Sequence, residues 1–263
     1  MTAERPLVLL SNDDGYSAEG LRALHRALSR HADVVVCAPE INQSATSHSL
    51  SLHRVLRLRE VEAGVFAIDG TPADCVYVAL HANGRVLRRK PDLVVSGMNH
   101  GLNLSSDVFY SGTVAAAREG ALRGIPSVAV SADQRADRDA AAALGARVAM
   151  ATLEAYRKAT DGKVPLFNVN VPPGQTWSVR PTRLGARLYV EEVVFRQDPR
   201  GHEYLWIGGG GRASRPRARL RHRGLRRGVG EHHAADDRPV LGGRGDAVRG
   251  DVRGCDALAP VLR

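Results

Sequence analysis

Short, largely apolar runs alternate with helix-like stretches from residue 7 to residue 131, and no other feature limits the fold as strongly. Leu7–Leu10, Asp33–Ala38, Leu93–Ser96 and Ser127–Ser131 carry apolar residues at consecutive positions. A strand apolar on both sides has to be covered on both faces, which is the setting of a parallel sheet flanked by helices. Between the first two runs, Leu21, Leu24, Ala27 and Leu28 recur at helical spacing, predicting a helix over about 18–30 with Ser17 as its N-cap. Thr113–Leu122 reads as an alanine-rich helix. Another helix over about 139–158 precedes the strand Leu166–Val171. The expected fold class is therefore α/β, with a mainly parallel, doubly wound, Rossmann-like sheet. Residues 49–68 depart from the pattern: Val55, Leu56, Leu58, Val61, Val65, Phe66 and Ile68 alternate with polar residues and predict an inserted β-hairpin. Residues 176–207 read as extended or hairpin structure.

The chain divides at about residue 207. Beyond it come four glycines and then an Arg/Gly-rich stretch with neither helical nor strand periodicity. Residues 212–263 contain 13 arginines, no lysine and 6 acidic residues, so +7 of the chain's net +9 belongs to this segment. Two readings stand. One is a disordered basic tail. The other is a reading frame lost near Gly211: displaced by one base, the codons available to Leu225–His233 can encode the more strand-like Tyr-Asp-Glu-Gly-x-x-Ser-Ile-Thr. Because the basicity is confined to this segment, which lacks aromatic residues for base stacking, nucleic acid is not the expected partner.

Composition and cysteines point the same way. A hydrophobic fraction of 43% suits a globular core. Cys37, Cys75 and Cys255 form neither a CxxC pair nor a disulfide framework, as expected in a reducing compartment. The N-terminus has no basic segment leading into a long apolar one, and no stretch approaches the ~20 apolar residues of a membrane span. A cytoplasmic protein without a membrane partner is expected.

The chemistry is concentrated where the strands end. In open parallel sheets ligands bind beyond the carboxyl ends of strands, and Ser11-Asn12-Asp13-Asp14-Gly15 follows the first strand. Neither GxGxxG nor a Walker A lysine is present. Adjacent carboxylates point oppositely on a regular strand, so both reach one ion only at a turn, which Gly15 permits. Carboxylate oxygens suit Mg²⁺ or Mn²⁺. The second strand leads into Ala38-Pro39-Glu40-Ile41-Asn42-Gln43-Ser44, where Ser44 offers a neutral oxygen. The next leads into Ser96-Gly97-Met98-Asn99-His100-Gly101-Leu102-Asn103, in which Gly97 allows close backbone approach and Asn99 offers an amide oxygen. In Tyr110-Ser111-Gly112-Thr113, either Ser111 or Thr113 can cap a helix whose free N–H groups suit a phosphate. A fifth loop, Asp69–Cys75, leads into a further helix. Singly these are ordinary loops. Together they are an oxygen-rich cation site beside an anion site, the equipment for metal-assisted phosphoester hydrolysis. Asp13 and Asp14 are also the candidate proton acceptors.

In order and spacing, Leu10-Ser-Asn-Asp-Asp-Gly15, Ala38-Pro-x-x-Asn-Gln-Ser44, Gly70-Thr-Pro-Ala-Asp-Cys-Val76, Val95-Ser-Gly-Met-Asn99 and Tyr110-Ser-Gly-Thr-Val-Ala-Ala-Ala117 resemble the SurE family over about residues 6–207. The resemblance implies nucleotidase activity on nucleoside 5′- and 3′-monophosphates, exopolyphosphatase activity in some members, and one divalent cation, Mg²⁺ or Mn²⁺. It places the metal ligands at Asp13, Asp14, Ser44 and Asn99, with Asp13 and Asp14 also catalytic. Phosphate or substrate contacts fall to Asn12, Gly97, Asn103, Ser111, Gly112 and Thr113. It further implies homodimers or homotetramers built partly through C-terminal segments, and there the chain departs, since residues after about 211 do not resemble the family. Ala45 stands where the family often has glycine. The alternatives are an inactive or poorly folded frameshifted relative and, from a different class, a nucleic-acid-binding protein using the basic tail.

Overall fold

The computed structural model describes residues 4–185 and 193–207. These belong to two separately compact units, a body up to Gly185 and a segment beyond it, and each is described by itself. The Arg/Gly-rich segment from Gly208, with both of its readings, lies outside the described residues.

In the body, β1 (Leu7–Ser11), α1 (Glu19–Ser29), β2 (Asp33–Pro39), β3 (Leu58–Glu62), β4 (Val65–Ile68), α2 (Pro72–His81), β5 (Leu93–His100), α3 (Asp107–Tyr110), α4 (Gly112–Leu122), β6 (Ser127–Ala132), α5 (Arg138–Lys158) and β7 (Leu166–Val171) follow one another. The sheet order is β3-β4-β2-β1-β5-β6-β7. All neighbours pair in parallel except β3 with β4, so the expected doubly wound α/β sheet is what forms. β1 and β6 are buried at every position, which is why their sequences show no apolar/polar alternation. One apolar layer joins Val8, Leu10, Val95 and Val130 to Leu21, Leu24 and Leu28 of α1 and to Leu144 and Val148 of α5. On the other face, Leu7, Leu9, Cys37, Phe66 and Val94 pack with Cys75 and Val76 of α2 and Ala116 of α4.

Several local expectations change. Ser17 does not cap α1; Ala18 is the N-cap and makes no side-chain cap bond, so this helix rests on its buried apolar stripe. The insertion expected over 49–68 is a hairpin only from Leu58, and its second strand joins the main sheet beside β2. Residues 49–57 form no regular element, because their backbone bonds go to α2 and to Asp69 instead. β5 runs on to His100, past the predicted end at Ser96. By contrast the loop at Asp69–Cys75 does open a helix, α2, through a capping box in which Thr71 Oγ1 accepts from Asp74 N and Asp74 Oδ2 accepts from Thr71 N.

In the second unit, β8 (Val193–Gln197) pairs antiparallel with β9 (Glu203–Ile207). Asp198 closes the turn by accepting from the backbone N–H groups of Arg200 and His202.

Candidate metal and phosphate site

The sheet reverses its winding between β1 and β5, since β1 leads outward to β2 while β5 leads the other way to β6. A crevice opens at such a switch point beyond the strand ends. Ser11 pairs with Ser96 in the β1–β5 register, so Asn12–Asp14 leave the end of β1 beside Gly97–Asn99, which stay paired with β6.

Gly15 adopts φ +103°, a conformation glycine tolerates and other residues rarely adopt, and it turns the chain after Asp14. Asn12 is buried and braces that turn by donating from Nδ2 to Gly15 O at 2.9 Å; its Oδ1 has no hydrogen-bond partner. Asp13 is also buried. Its Oδ1 accepts a short hydrogen bond from Thr113 Oγ1, and its backbone carbonyl accepts from Gln43 N at 2.7 Å. Burial pushes the Asp13 carboxyl up to about 6 against the pull of the Thr113 hydroxyl, with the neighbouring Asp14 adding to the rise. Asp14 is half-buried. It accepts from His100 N at 3.3 Å and from Asn42 Nδ2 at 3.4 Å. Its pKa is raised as well, by burial, against the His100 N–H.

Ser44 arrives on the loop after β2. Asn42 Oδ1 accepts from Ser44 N at 2.9 Å, so one asparagine touches both Asp14 and the backbone that carries Ser44. From β5, Asn99 spends its Nδ2 on Gly101 O at 2.8 Å, which leaves the amide oxygen as the group it can offer. Gly97 sits where a Cβ would lie 2.2 Å from Val130 O, so its lack of a side chain is demanded by β6.

Ser111 is the N-cap of α4; its Oγ accepts from Val114 N at 3.1 Å. Thr113 does not share that duty, because its hydroxyl is turned to Asp13. The helix end read as an anion site thus already faces one carboxylate. Gly112 makes that approach feasible: a Cβ there would stand 2.8 Å from Asp13 Cβ and 2.9 Å from Pro72 Cγ. Asn103 is engaged by β6 and β7. It is buried, donates from Nδ2 to Ser131 Oγ at 2.8 Å, and its backbone is held by Asn168 and Asn170.

Among the described residues no three His, Cys, Asp or Glu side chains gather as a metal cluster. The residues read from the sequence as donors are instead two carboxylates with the neutral hydroxyl of Ser44 and the amide oxygen of Asn99. That suits a hard cation held through one or two carboxylates, with its remaining positions left to water and phosphate. The unpartnered Asn12 Oδ1 and the carboxylate pair held close at a strand end fit such an ion.

The family model described as "Survival protein SurE" matches residues 8–191. The chain belongs to the SurE family. "5'-nucleotidase SurE" of Sorangium cellulosum (strain So ce56) is 72% identical over 207 residues, covering 79% of this chain and 80% of that protein. Its namesake in Anaeromyxobacter dehalogenans (strain 2CP-C) is 54% identical over 207 residues, covering 78% and 79%. Among solved structures, the SurE protein from Aquifex aeolicus superposes with a TM-score of 0.66 at 38% identity, covering 77% of this chain and 82% of that one. No described helix of this SurE-family chain is long and apolar enough to cross a membrane.

Two long-range pairings escaped the linear reading. Thr113 as a partner of Asp13 lies 100 positions away. His48 and Glu119, which meet at 2.8 Å, belong to no motif; a lone acid in the alanine-rich run after Thr113 was the only signal for them.

Proposed function

We propose that this chain is a divalent-metal-dependent phosphomonoesterase that hydrolyses nucleoside 5′-monophosphates to nucleoside and phosphate. The reading extends to 3′-monophosphates and to terminal phosphate of polyphosphate. The observation that carries it is the meeting of Asp13, Asp14 and the β5 loop at the switch point of the sheet, against the N-terminus of α4. The names of the relatives supply the nucleotide as substrate class.

Asp13, Asp14, Ser44 and Asn99 would hold Mg²⁺ or Mn²⁺. When bound, the cation supplies Lewis-acid polarisation of the phosphoryl oxygens and favours deprotonation of water. The remaining work falls to the chain. Thr113 fixes the rotamer of Asp13 by donating to one of its oxygens. Gly112, having no side chain, brings the first turn of α4 against that carboxylate, where N–H groups favour negative charge. Asn42 and His100 N steady Asp14 without burying it. Asp13 and Asp14 are the two candidate acceptors for the proton of the attacking water.

The test is phosphate release by the full chain from a panel of nucleoside monophosphates and polyphosphate, with Mn²⁺, Mg²⁺ or excess EDTA. Turnover with either metal and its loss in EDTA are expected; full turnover in EDTA overturns the metal-dependent reading.

A further inference from the structure

Glu119 is the unusual residue of α4. Gly112–Ala117, Glu119 and Gly120 are all buried, and Glu119 is the one acid among them; its side chain is only 2% exposed. Both of its oxygens are engaged. Oε2 meets His48 Nε2 at 2.8 Å, and Oε1 accepts from Arg123 Nε and Nη2 at 2.9 and 2.8 Å. Arg123 in turn lies over the Tyr77 ring of α2, 5.2 Å from its centroid. A carboxylate removed from water needs such partners, but that leaves open why the helix carries one at all.

The answer lies in what His48 belongs to. It stands four positions after Ser44 in a segment without helix or strand, and the backbone there is strained: Ala45 and Ser47 have φ of 60° and 56°. Conformations of this kind cost on the order of 1 kcal/mol each and persist only where surrounding contacts impose them. The contacts form a series. Thr46 Oγ1 donates to Gln43 O and Ser49 Oγ to Thr46 O, winding the segment on itself. Ser47 N donates to Tyr110 O at 2.9 Å and Ser47 Oγ to Phe109 O at 2.6 Å. Thr71 Oγ1 donates to Ser49 O, and Ser51 N donates to Asp74 Oδ1. These tie the segment to α3 and α2. His48 ties it to α4, the helix whose Thr113 holds Asp13.

Resting on the functional reading above, we infer that His48 and Glu119 are positioning residues. Through this pair, α4 sets the placement of the Ser44 loop relative to Asp13, and so tunes cation affinity without touching substrate. Partners that orient ligands from behind are typically worth roughly 10–100-fold in metal affinity or activity.

The experiment is a Mn²⁺ titration of the full-length chain, reading free Mn²⁺ by electron paramagnetic resonance, with kcat, KM and melting temperature measured alongside. The variants are H48A, H48Q and E119Q. H48A is expected to raise the Mn²⁺ dissociation constant about tenfold, to leave kcat at saturating Mn²⁺ within threefold, and to speed amide exchange at Ser47 and Ser51. H48Q, whose amide can donate to Glu119 Oε2, is expected to recover most of the loss. Combining H48A with E119Q is expected to add less than the two single effects together. Should E119Q fail to fold, the H48A and H48Q pair decides alone. If H48A binds Mn²⁺ within twofold of an active, Mn²⁺-binding wild type, or if it lowers only the melting temperature, the positioning role is overturned. A wild type that binds no Mn²⁺ and releases no phosphate overturns the functional reading, and this inference with it.

Discussion

In the proposed site, Asp13 and Asp14 follow the end of β1 and Asn99 lies near the end of β5, two strands paired in register as far as Ser11 and Ser96. Ser44, the fourth ligand of the proposed site, lies on a segment with no regular structure, held by side-chain and backbone bonds to α2, α3 and α4. One side is thus positioned by the ends of regular strands, with Asp13 buried and Asp14 half-buried. The other is positioned by long-range tethers acting against local backbone strain. The strand side should be intolerant of any change in shape or charge. The loop side should respond in degrees, since each tether carries only part of the restraint.

The strongest way to break this contrast is Asp13→Asn, which keeps the shape and removes the charge. Phosphate release is expected to fall by roughly 10²–10⁴-fold, with the fold retained by circular dichroism. A loss under tenfold would remove Asp13 from the centre of the site. Next comes pH. The Asp13 carboxyl is pushed up to about 6 from the usual 3.8, so the folded chain binds its proton more tightly than the unfolded chain does. That contribution is fully present below about pH 4 and is lost as pH rises through about 6, amounting at most to about 3 kcal/mol. Denaturant unfolding of the metal-free chain from pH 4 to 7 should show the decline, and Asp13→Asn should flatten it. Added Mn²⁺ should restore stability above pH 6, where the carboxylate is charged.

Third is Gly112→Ala. The added methyl meets Asp13 and Pro72 at distances that side chains do not hold, so overpacking should cost about 1–3 kcal/mol. Activity should fall with it, as the displaced neighbour is a candidate ligand. Unchanged unfolding midpoint and turnover would mean that α4 can shift away freely. The smallest effect belongs to the loop side. Ala45→Gly relieves a left-handed residue and should stabilise the chain by up to about 1 kcal/mol, visible as a small rise in denaturant midpoint with little change in kcat.

The same contrast explains which parts of the molecule were legible in its sequence. Consecutive apolar residues revealed β1, β2, β5 and β6 because cover on both faces leaves no alternation to obscure the run, completely so in β1 and β6. Loops at the carboxyl ends of parallel strands share one sheet edge, which is why Asn12–Gly15 and Gly97–Asn99 could be expected at the same edge, whereas the adjacency of β1 and β5 came only with the structure. Ser111 as a cap was legible because capping is a local bond over three positions. What could not be read is what local bonding does not decide. Thr113 is as good a cap as Ser111 in one dimension, and only the approach of β1 turns its hydroxyl toward Asp13. Nor does one dimension show that β7 brings Asn168 and Asn170 to the backbone of Asn103. Ser17 is a sound N-cap by type, yet α1 starts without it because burial of Leu21, Leu24 and Leu28 already determines the helix. The left-handed backbone at Ala45 gives a physical reason for the family's frequent glycine there.

The bond between Thr113 and Asp13 joins residues a hundred positions apart, and synthesis runs in one direction. A growing chain carries both adjacent carboxylates out of the ribosome long before the helix that steadies one of them exists. Any fragment ending before that helix is a chain with acidic residues but no assembled pocket. The proposed site therefore cannot be complete until the middle of the polypeptide has been made and has closed over its beginning.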